Sequence, residues 1–333
     1  MEAVVAPESV PGRVSSPTTD QVRLLGKVAR MYHERGLRQP QIAEALNISQ
    51  PRVSRLLRQA VELGIVRTVV TMPPGTYTDL EDRIQARYGL RDVVAVDTEG
   101  SGDNVMPALG AATADYLDVT LIGQDMVGVS TWSETLIEAV NVMRPKAGSV
   151  VSQVVQLLGG LGDSAVQVNA TRLTERLAFL TGATPVFLPA PGLVGSPAAR
   201  RAMMADPTIG SVAALWKRLT VALVGIGSLE PSRLIARSGN IFGVQERDEL
   251  RSAGAVGDVC FRFFDADGTA VKSDIDQRLI GISQADLMRV PRRIGVAGGA
   301  RKYTAVRAAV RGGWINVLVT DLATAERLAA EDE

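Results

Sequence analysis

QPQIAEALNISQPRVSRLLRQAVELGIVRTVV, Gln39 to Val70, carries two apolar stripes of helical spacing separated by a polar turn. Ile42, Ala43 and Leu46 form the inner face of a short first helix. Pro40 suits its opening turn, where a missing N–H costs nothing. Asn47-Ile48-Ser49 makes the turn, with Ser49 placed as N-cap of a second helix. There Val53, Leu56, Leu57 and Ala60 fall at i, i+3, i+4 and i+7, a buried stripe. Gln50, Arg52, Ser54, Arg55 and Arg58 are left facing outward. A helix anchored by one apolar edge, with Arg and Gln opposite, can lie in a major groove. Arg pairs there with guanine, Gln with adenine, and either reaches phosphate. The stretch predicts a helix-turn-helix that binds double-stranded DNA through those five residues.

Upstream, Asp20 to Arg35 places Val22, Leu25, Val28, Ala29 and Tyr32 at helical spacing, a supporting helix. Downstream, Gly64 ends the recognition helix and Ile65 to Met72 alternates enough to form a strand, making the domain a winged one. Pro73-Pro74-Gly75 closes it. From Arg13 to Met72, ten Lys or Arg stand against four Asp or Glu, whereas the whole chain has 36 of each sign. One basic domain on an acidic remainder is the footprint of a polyanion partner. A merely solvated basic face, or contact with RNA or protein, are the competing readings.

The predicted organisation is a disordered tail over 1–18, a DNA-binding domain over 19–73 and a linker helix over 74–90. An effector-binding and oligomerisation domain follows over 91–333. The linker helix is centred on Thr78 to Tyr88, with Leu80, Ile84 and Tyr88 on one side. Aliphatic content is high and aromatics reach only 4%, so Val, Leu, Ile and Ala must build the core. A single cysteine, Cys260, excludes an internal disulfide and reads as a buried structural thiol in a reducing compartment. No run approaches the roughly 18 apolar residues of a membrane span. The tail lacks a basic start followed by an apolar block, so no export signal is expected. These readings predict a soluble, cytoplasmic protein without membrane contact.

Beyond Asp92, apolar runs alternate with amphipathic segments. The runs are 93–97, 126–130, 149–158, 185–190, 219–227, 259–264, 278–283, 292–298 and 315–320. Helical segments include Val105–Val119, Ser133–Met143, Thr171–Thr181 and Ala300–Arg311. Near-continuous aliphatic strands alternating with helices predict an α/β, Rossmann-like, mostly parallel sheet covered on both faces. Ligands of such sheets bind outside the carboxyl ends of the strands, and four strand ends carry suitable residues. VGVSTWSETL offers Ser130, Thr131, Ser133 and Thr135 for sugar or phosphate oxygens and Trp132 to cover a ring; the same hydroxyls could be plain helix caps. QLLGGLGDS offers Gly159 and Gly160, and VGIGS offers Gly225 and Gly227, though glycine also serves ordinary turns. VAGGARKYTAV puts Gly298, Gly299 and Lys302 at a helix start suited to an anion, unless Lys302 is a solvated surface charge.

With these loops in order behind the helix-turn-helix, the chain resembles the SorC family of sugar-binding bacterial transcriptional regulators. The likeness covers roughly residues 20 to 330 and rests on IAEALNIS, VSRLL, VGVSTWSETL, QLLGGLGDS, GAVGDVCFRFFDADG and GVAGGARKYTAVRAA. It implies a sensor domain related in fold to sugar-phosphate isomerases, a homo-oligomer (tetramer or dimer of dimers) on operator DNA, and a small carbohydrate effector. Carried over by motif, Ser130, Thr131, Trp132, Ser133, Thr135, Gln156, Asn169, Asp258 and Lys302 line the effector site. Gly159, Gly160, Gly225, Gly227, Gly298 and Gly299 shape its walls. Two positions depart from relatives. Leu158 stands where some carry a basic residue, and Glu134 where others carry a hydroxyl. Both departures disfavour a doubly phosphorylated ligand, so the expected effector is a sugar, polyol or singly phosphorylated sugar bound non-covalently.

The alternative is a sugar-phosphate isomerase-like enzyme with an appended DNA-binding domain. Isomerisation needs a poised base, yet the only histidine, His33, lies in the helix-turn-helix region. Asp163 and Asp258 are the remaining candidates. Asp265 and Asp267 in FFDADG suit a β-turn ending at Gly268. No catalytic residue, metal site or cofactor is predicted.

Overall fold

The computed structural model describes residues 19–67, 73, 75–98, 104–160, 164–230 and 243–331, with the backbone alone over 164–170. The expected tail (1–18), most of the expected wing (68–72) and Asp163 lie outside the described residues. The chain divides into two compact units, Met1–Met72 and Pro73–Glu333.

In the first unit, α1 (Thr19–His33), α2 (Gln39–Leu46) and α3 (Gln50–Glu62) close around Val28, Met31, Ile42, Val53 and Leu57. Leu25, Ala29 and Ala60 make a smaller adjoining cluster. Val22 and Tyr32, expected on the inner stripe of α1, are exposed, and Met31 is buried instead. Asn47 ends α2 in the left-handed region (φ 50°), its N–H returning to Ala43 and Glu44 carbonyls. Such a φ suits Asn better than most residues. Ser49 occupies the N-cap of α3, but its hydroxyl makes no capping bond. The reason is local: Pro51 has no N–H, and the next donor, Arg52 N, bonds the Ser49 carbonyl at 2.9 Å.

The second unit opens with α4 (Thr78–Tyr88), β1 (Asp92–Val96), α5 (Met106–Thr120), β2 (Asp125–Val129), α6 (Glu134–Val142), β3 (Val151–Gln156), α7 (Ser164–Thr181) and β4 (Thr184–Val186). It continues with α8 (Pro197–Met204), α9 (Pro207–Leu215), β5 (Val221–Gly225), β6 (Gly227–Ser228), α10 (Val244–Ser252), β7 (Gly257–Val259), β8 (Arg262–Phe264), α11 (Asp274–Arg278) and α12 (Gln284–Arg289). The last elements are β9 (Arg292–Val296), α13 (Tyr303–Arg311), β10 (Val317–Asp321) and α14 (Leu322–Ala329).

Seven strands form one sheet in the order β1-β10-β9-β5-β2-β3-β4, every pairing parallel. Alternate residues of each strand serve different cores. Val127, Val129, Val221, Leu223, Ile294 and Val317 pack with Leu117 of α5, Leu136 of α6 and Leu177 of α7. Met126, Ala222, Val224 and Leu318 share the other core with Leu80 and Ile84 of α4 and Leu328 of α14. Thr78–Tyr88, expected as a linker helix, is therefore built into this core, and its Glu81 carboxylate accepts the Ala95 N–H of β1 at 2.9 Å.

A second sheet joins β6, β7 and β8 antiparallel. It corrects the single strand expected over 259–264: Cys260 and Phe261 are a hairpin turn, with φ of 54° and 56°. Consecutive left-handed residues match strand twist in two-residue hairpins, but the pattern of apolar residues hides such a reversal. The strand expected over 278–283 is absent as well. Leu279 and Gly281 form only isolated bridges, to Leu193 and Leu158, because the run bonds to two short loop segments, 192–194 and 157–159, and extends a ladder on neither. The expected strand 185–190 shortens to Thr184–Val186.

Candidate functional site

On α3, Gln50, Arg52, Arg55 and Arg58 are exposed while Ser54 is half-buried. Val53, Leu57 and Ala60, at 8% exposure or less, hold the opposite edge down. Four polar side chains on one fixed helical face can reach base edges and phosphates together. His33 is exposed at the end of α1.

The second unit holds a cavity of about 860 Å³ at the carboxyl ends of β2, β5 and β9. Its place follows from topology. From β2 the chain proceeds to β3 on one side; from β5 it proceeds, through the small sheet, to β9 on the other. The crevice left at such a reversal is where open α/β sheets bind ligands.

Ser130, Trp132, Ser133 and Thr135 enter from the β2–α6 loop. The Ser133 hydroxyl also caps α6, accepting from Leu136 N at 3.4 Å, so the cap and pocket roles coincide. Trp132 is almost fully enclosed among Leu158, Phe261 and Phe263, and its indole N–H points to the Gly159 carbonyl at 3.4 Å. At 6% exposure it leaves little ring surface for stacking.

Gly225 ends β5 and Gly227 opens β6. A methyl at Gly227 would stand 2.0 Å from Asp258 Oδ1, so only glycine lets β6 pass this carboxylate. Asp258, from β7, accepts the Phe261 N–H at 2.9 Å. Burial pushes its carboxyl up to about 6, against the Phe261 bond and the charge of Lys302. Cys260 is enclosed beside Ser130, and burial pushes its thiol up to about 12, as befits an inert thiol.

The β9–α13 loop supplies Gly298, Gly299, Arg301 and Lys302. Gly299 takes φ 88°, and its N–H is occupied by Asp321 Oδ2 at 2.7 Å. Lys302 turns inward, its ammonium donating to the Ile226 carbonyl at 2.9 Å. Burial lowers its pKa, and Asp258 and Glu134 oppose that shift. A freely solvated Lys302 is therefore excluded.

The QLLGGLGDS loop contributes differently from expectation. Gln156 is buried, accepting Leu188 N at 2.8 Å with its side chain and the Trp216 indole at 2.9 Å with its carbonyl. Gly159 packs against the Ala190-Pro191 backbone, and Gly160 donates to Ala190 at 2.8 Å. These three do not line the cavity; they brace the loop after β4. Thr131 is buried away from it too. The side chain of Asn169 lies outside the described residues.

Motif reading missed Asn104, Glu230, Phe261 and Arg301, all on the wall. Asn104 follows β1, so the strand-end rule would have found it had it been applied there. Among the described residues no cluster of three or more His, Cys, Asp or Glu could hold a metal ion, and no helix is long and apolar enough to cross a membrane.

Residues 73–330 match the Sugar-bind family model, a sugar-binding domain, and residues 19–72 match a helix-turn-helix domain. The deoxyribonucleoside regulator of Bacillus subtilis (strain 168) is 35% identical over 303 residues, spanning 91% of this chain and 96% of the relative. The sorbitol operon regulator of Klebsiella pneumoniae is 30% identical over 312 residues, 93% of this chain and 98% of that one. The crystal structure of the full-length regulator SorC from K. pneumoniae matches with a TM-score of 0.71, covering 93% of this chain and 100% of its own. The fold, the helix-turn-helix and these likenesses agree: the chain belongs to the SorC family of transcriptional regulators, DNA-binding proteins with a sugar-sensing domain.

Proposed function

We propose that the cavity is the effector site of a carbohydrate-operon regulator, taking a sugar, polyol or singly phosphorylated sugar non-covalently, and that occupancy alters operator affinity. The observation carrying this reading is the polar wall at the topological reversal. Glu134, Glu230, Asp258, Arg301 and Lys302 all line one crevice. Carboxylates and an ammonium in a confined space bind vicinal hydroxyls as acceptors and donor. Two cations against three carboxylates leave no surplus positive charge for two phosphates. Calorimetry on the full chain should show saturable binding of simple sugars or polyols. Tight binding of a bisphosphate alone would contradict the assignment.

Asp258 makes that binding pH-dependent. Its carboxyl, raised to about 6, is a full acceptor above that value and gains a proton below it. Sugar affinity should therefore fall as pH drops from about 7 through 6, and Asp258→Asn should flatten the profile. A wild-type profile flat across this range would remove Asp258 from the contacts.

On the DNA side, Arg55→Ala should weaken operator binding by about 1–3 kcal/mol and relax base preference at one position. Unchanged affinity and preference would take Arg55 out of the interface. The reading includes a homo-oligomer, tetramer or dimer of dimers, in the cytoplasm. Val119, Ile122, Val142 and Phe179, each more than half exposed near the ends of α5, α6 and α7, offer apolar surface for self-association, and sedimentation would measure it. No catalytic step is assigned; incubation with aldose and ketose phosphates should give no turnover.

The signal is carried by linkage: a ligand that prefers one arrangement of the sensor shifts the population competent for operator DNA. Within the second unit, α4, the first helix after the DNA-binding unit in sequence, is tied to the pocket. Tyr303, adjacent to Lys302, donates to Glu331 at 2.6 Å, and Tyr88 of α4 donates to the same carboxylate at 3.0 Å.

A further inference from the structure

We propose that Glu134 is a specificity-determining residue that excludes phosphate and commits the cavity to uncharged polyhydroxy ligands. The inference rests on the effector-site reading above and narrows its ligand class.

Three N–H groups and the ammonium through which this cavity could hold an anion are already taken by the protein's own acceptors. At the start of α6, where backbone dipoles favour negative charge, Glu134 occupies the first helical position and faces the cavity. The neighbouring Leu136 N–H bonds Ser133. On the β9 side, the Gly299 N–H is taken by Asp321 at 2.7 Å. The Phe261 N–H is taken by Asp258 at 2.9 Å. Lys302, the inward cation, donates to Ile226 and sits in the field of both Asp258 and Glu134.

What remains for a ligand, beside the Arg301 guanidinium, is a surplus of acceptors, led by the carboxylates of Glu134, Asp258 and Glu230. Hydroxyl groups supply donors to acceptors. A phosphate dianion brings only acceptors, and it would meet Glu134 at the very helix start that would otherwise attract it. A side chain with neither charge nor acceptor surplus at position 134 would reopen that end of the cavity.

The test titrates the full-length protein with inorganic phosphate at constant ionic strength, following phosphorus resonance broadening and thermal unfolding. Because α3 arginines also attract phosphate, the pocket signal is defined as the part removed by Lys302→Met. Wild type should show no such Lys302-dependent binding. Glu134→Gln should acquire it, with affinity raised by about tenfold or more. Glu134→Ser is the second variant should Glu134→Gln fold poorly. Lys302-dependent phosphate binding by wild type, or none gained by a folded Glu134 variant, overturns the proposal. Either result leaves calorimetric binding of sugars and polyols, and with it the effector-site assignment, intact.

Discussion

Lys302→Ala is expected to abolish the effector's influence on operator binding while leaving affinity for operator DNA, measured without effector, within about twofold. The ammonium turns inward, with its partners on three different segments: Ile226 after β5, Asp258 on β7 and Glu134 on α6. A charge-assisted hydrogen bond from it to a sugar hydroxyl contributes about 1.5–3 kcal/mol, so its loss weakens the sugar by roughly 10- to 150-fold. Removing it also leaves Asp258 buried with less compensation, which drives that carboxyl further towards its neutral form. The variant thus loses a donor and, at neutral pH, part of an acceptor. Calorimetry and mobility shifts with promoter DNA measure the two effects separately. Collapse of operator binding in a folded variant, or an undiminished effector response, would show that Lys302 has another role.

The division of labour between a DNA-binding domain and a sugar-sensing domain was legible because each rests on local patterns. Val53, Leu57 and Ala60 announce the buried edge of α3 by spacing alone, and the arginines follow by elimination. Likewise Ser130, Ser133 and Lys302 sit where strands end, and strand ends in parallel sheets are visible as aliphatic runs that stop. What failed depends on long-range contact. Gln156 looks like a strand-end ligand residue, but its amide is engaged by Leu188, 32 positions away, a partner that no window of sequence reveals. Cys260-Phe261 reads as the middle of a strand, since nothing in VCFRFF carries the Asn or Gly that ordinarily marks a two-residue hairpin. The same blindness cast Thr78–Tyr88 as a linker: an amphipathic helix shows that it packs, not on what. Glu134 was visible as a departure from relatives, yet its meaning needed the occupied donors around it.

Glu331→Gln, and independently Tyr303→Phe, should leave sugar affinity within about threefold and shrink the effector's effect on operator affinity towards unity. Three side chains from two elements meet on this one carboxylate: Tyr88 from α4, Tyr303 from the start of α13 beside Lys302, and Arg307, one turn further along α13, by an ion pair. Tyr88 also reaches the Leu328 carbonyl at the end of α14, and Arg87 donates to the Glu331 carbonyl. At the other end of α14, Asp321 grips Thr324 and the Gly299 N–H of the pocket loop. On this reading a movement of the Gly298–Lys302 segment would reach α4 through α14 and the shared carboxylate. Burial opposes the charge on Glu331, but the bonds from Arg307, Tyr303 and Tyr88 outweigh it and hold the carboxyl below its ordinary range. The charged form is thus the one that ties the elements. Allosteric couplings are typically about 1–3 kcal/mol, comparable to the loss of one charge-assisted bond in such a network, so a single neutralising substitution can erase the response. A general structural role would lower stability and sugar affinity together; a coupling role separates them, because the cavity keeps all its own side chains. Variants whose operator affinity still responds fully to a sugar that they bind normally would show that the pocket signals by another route.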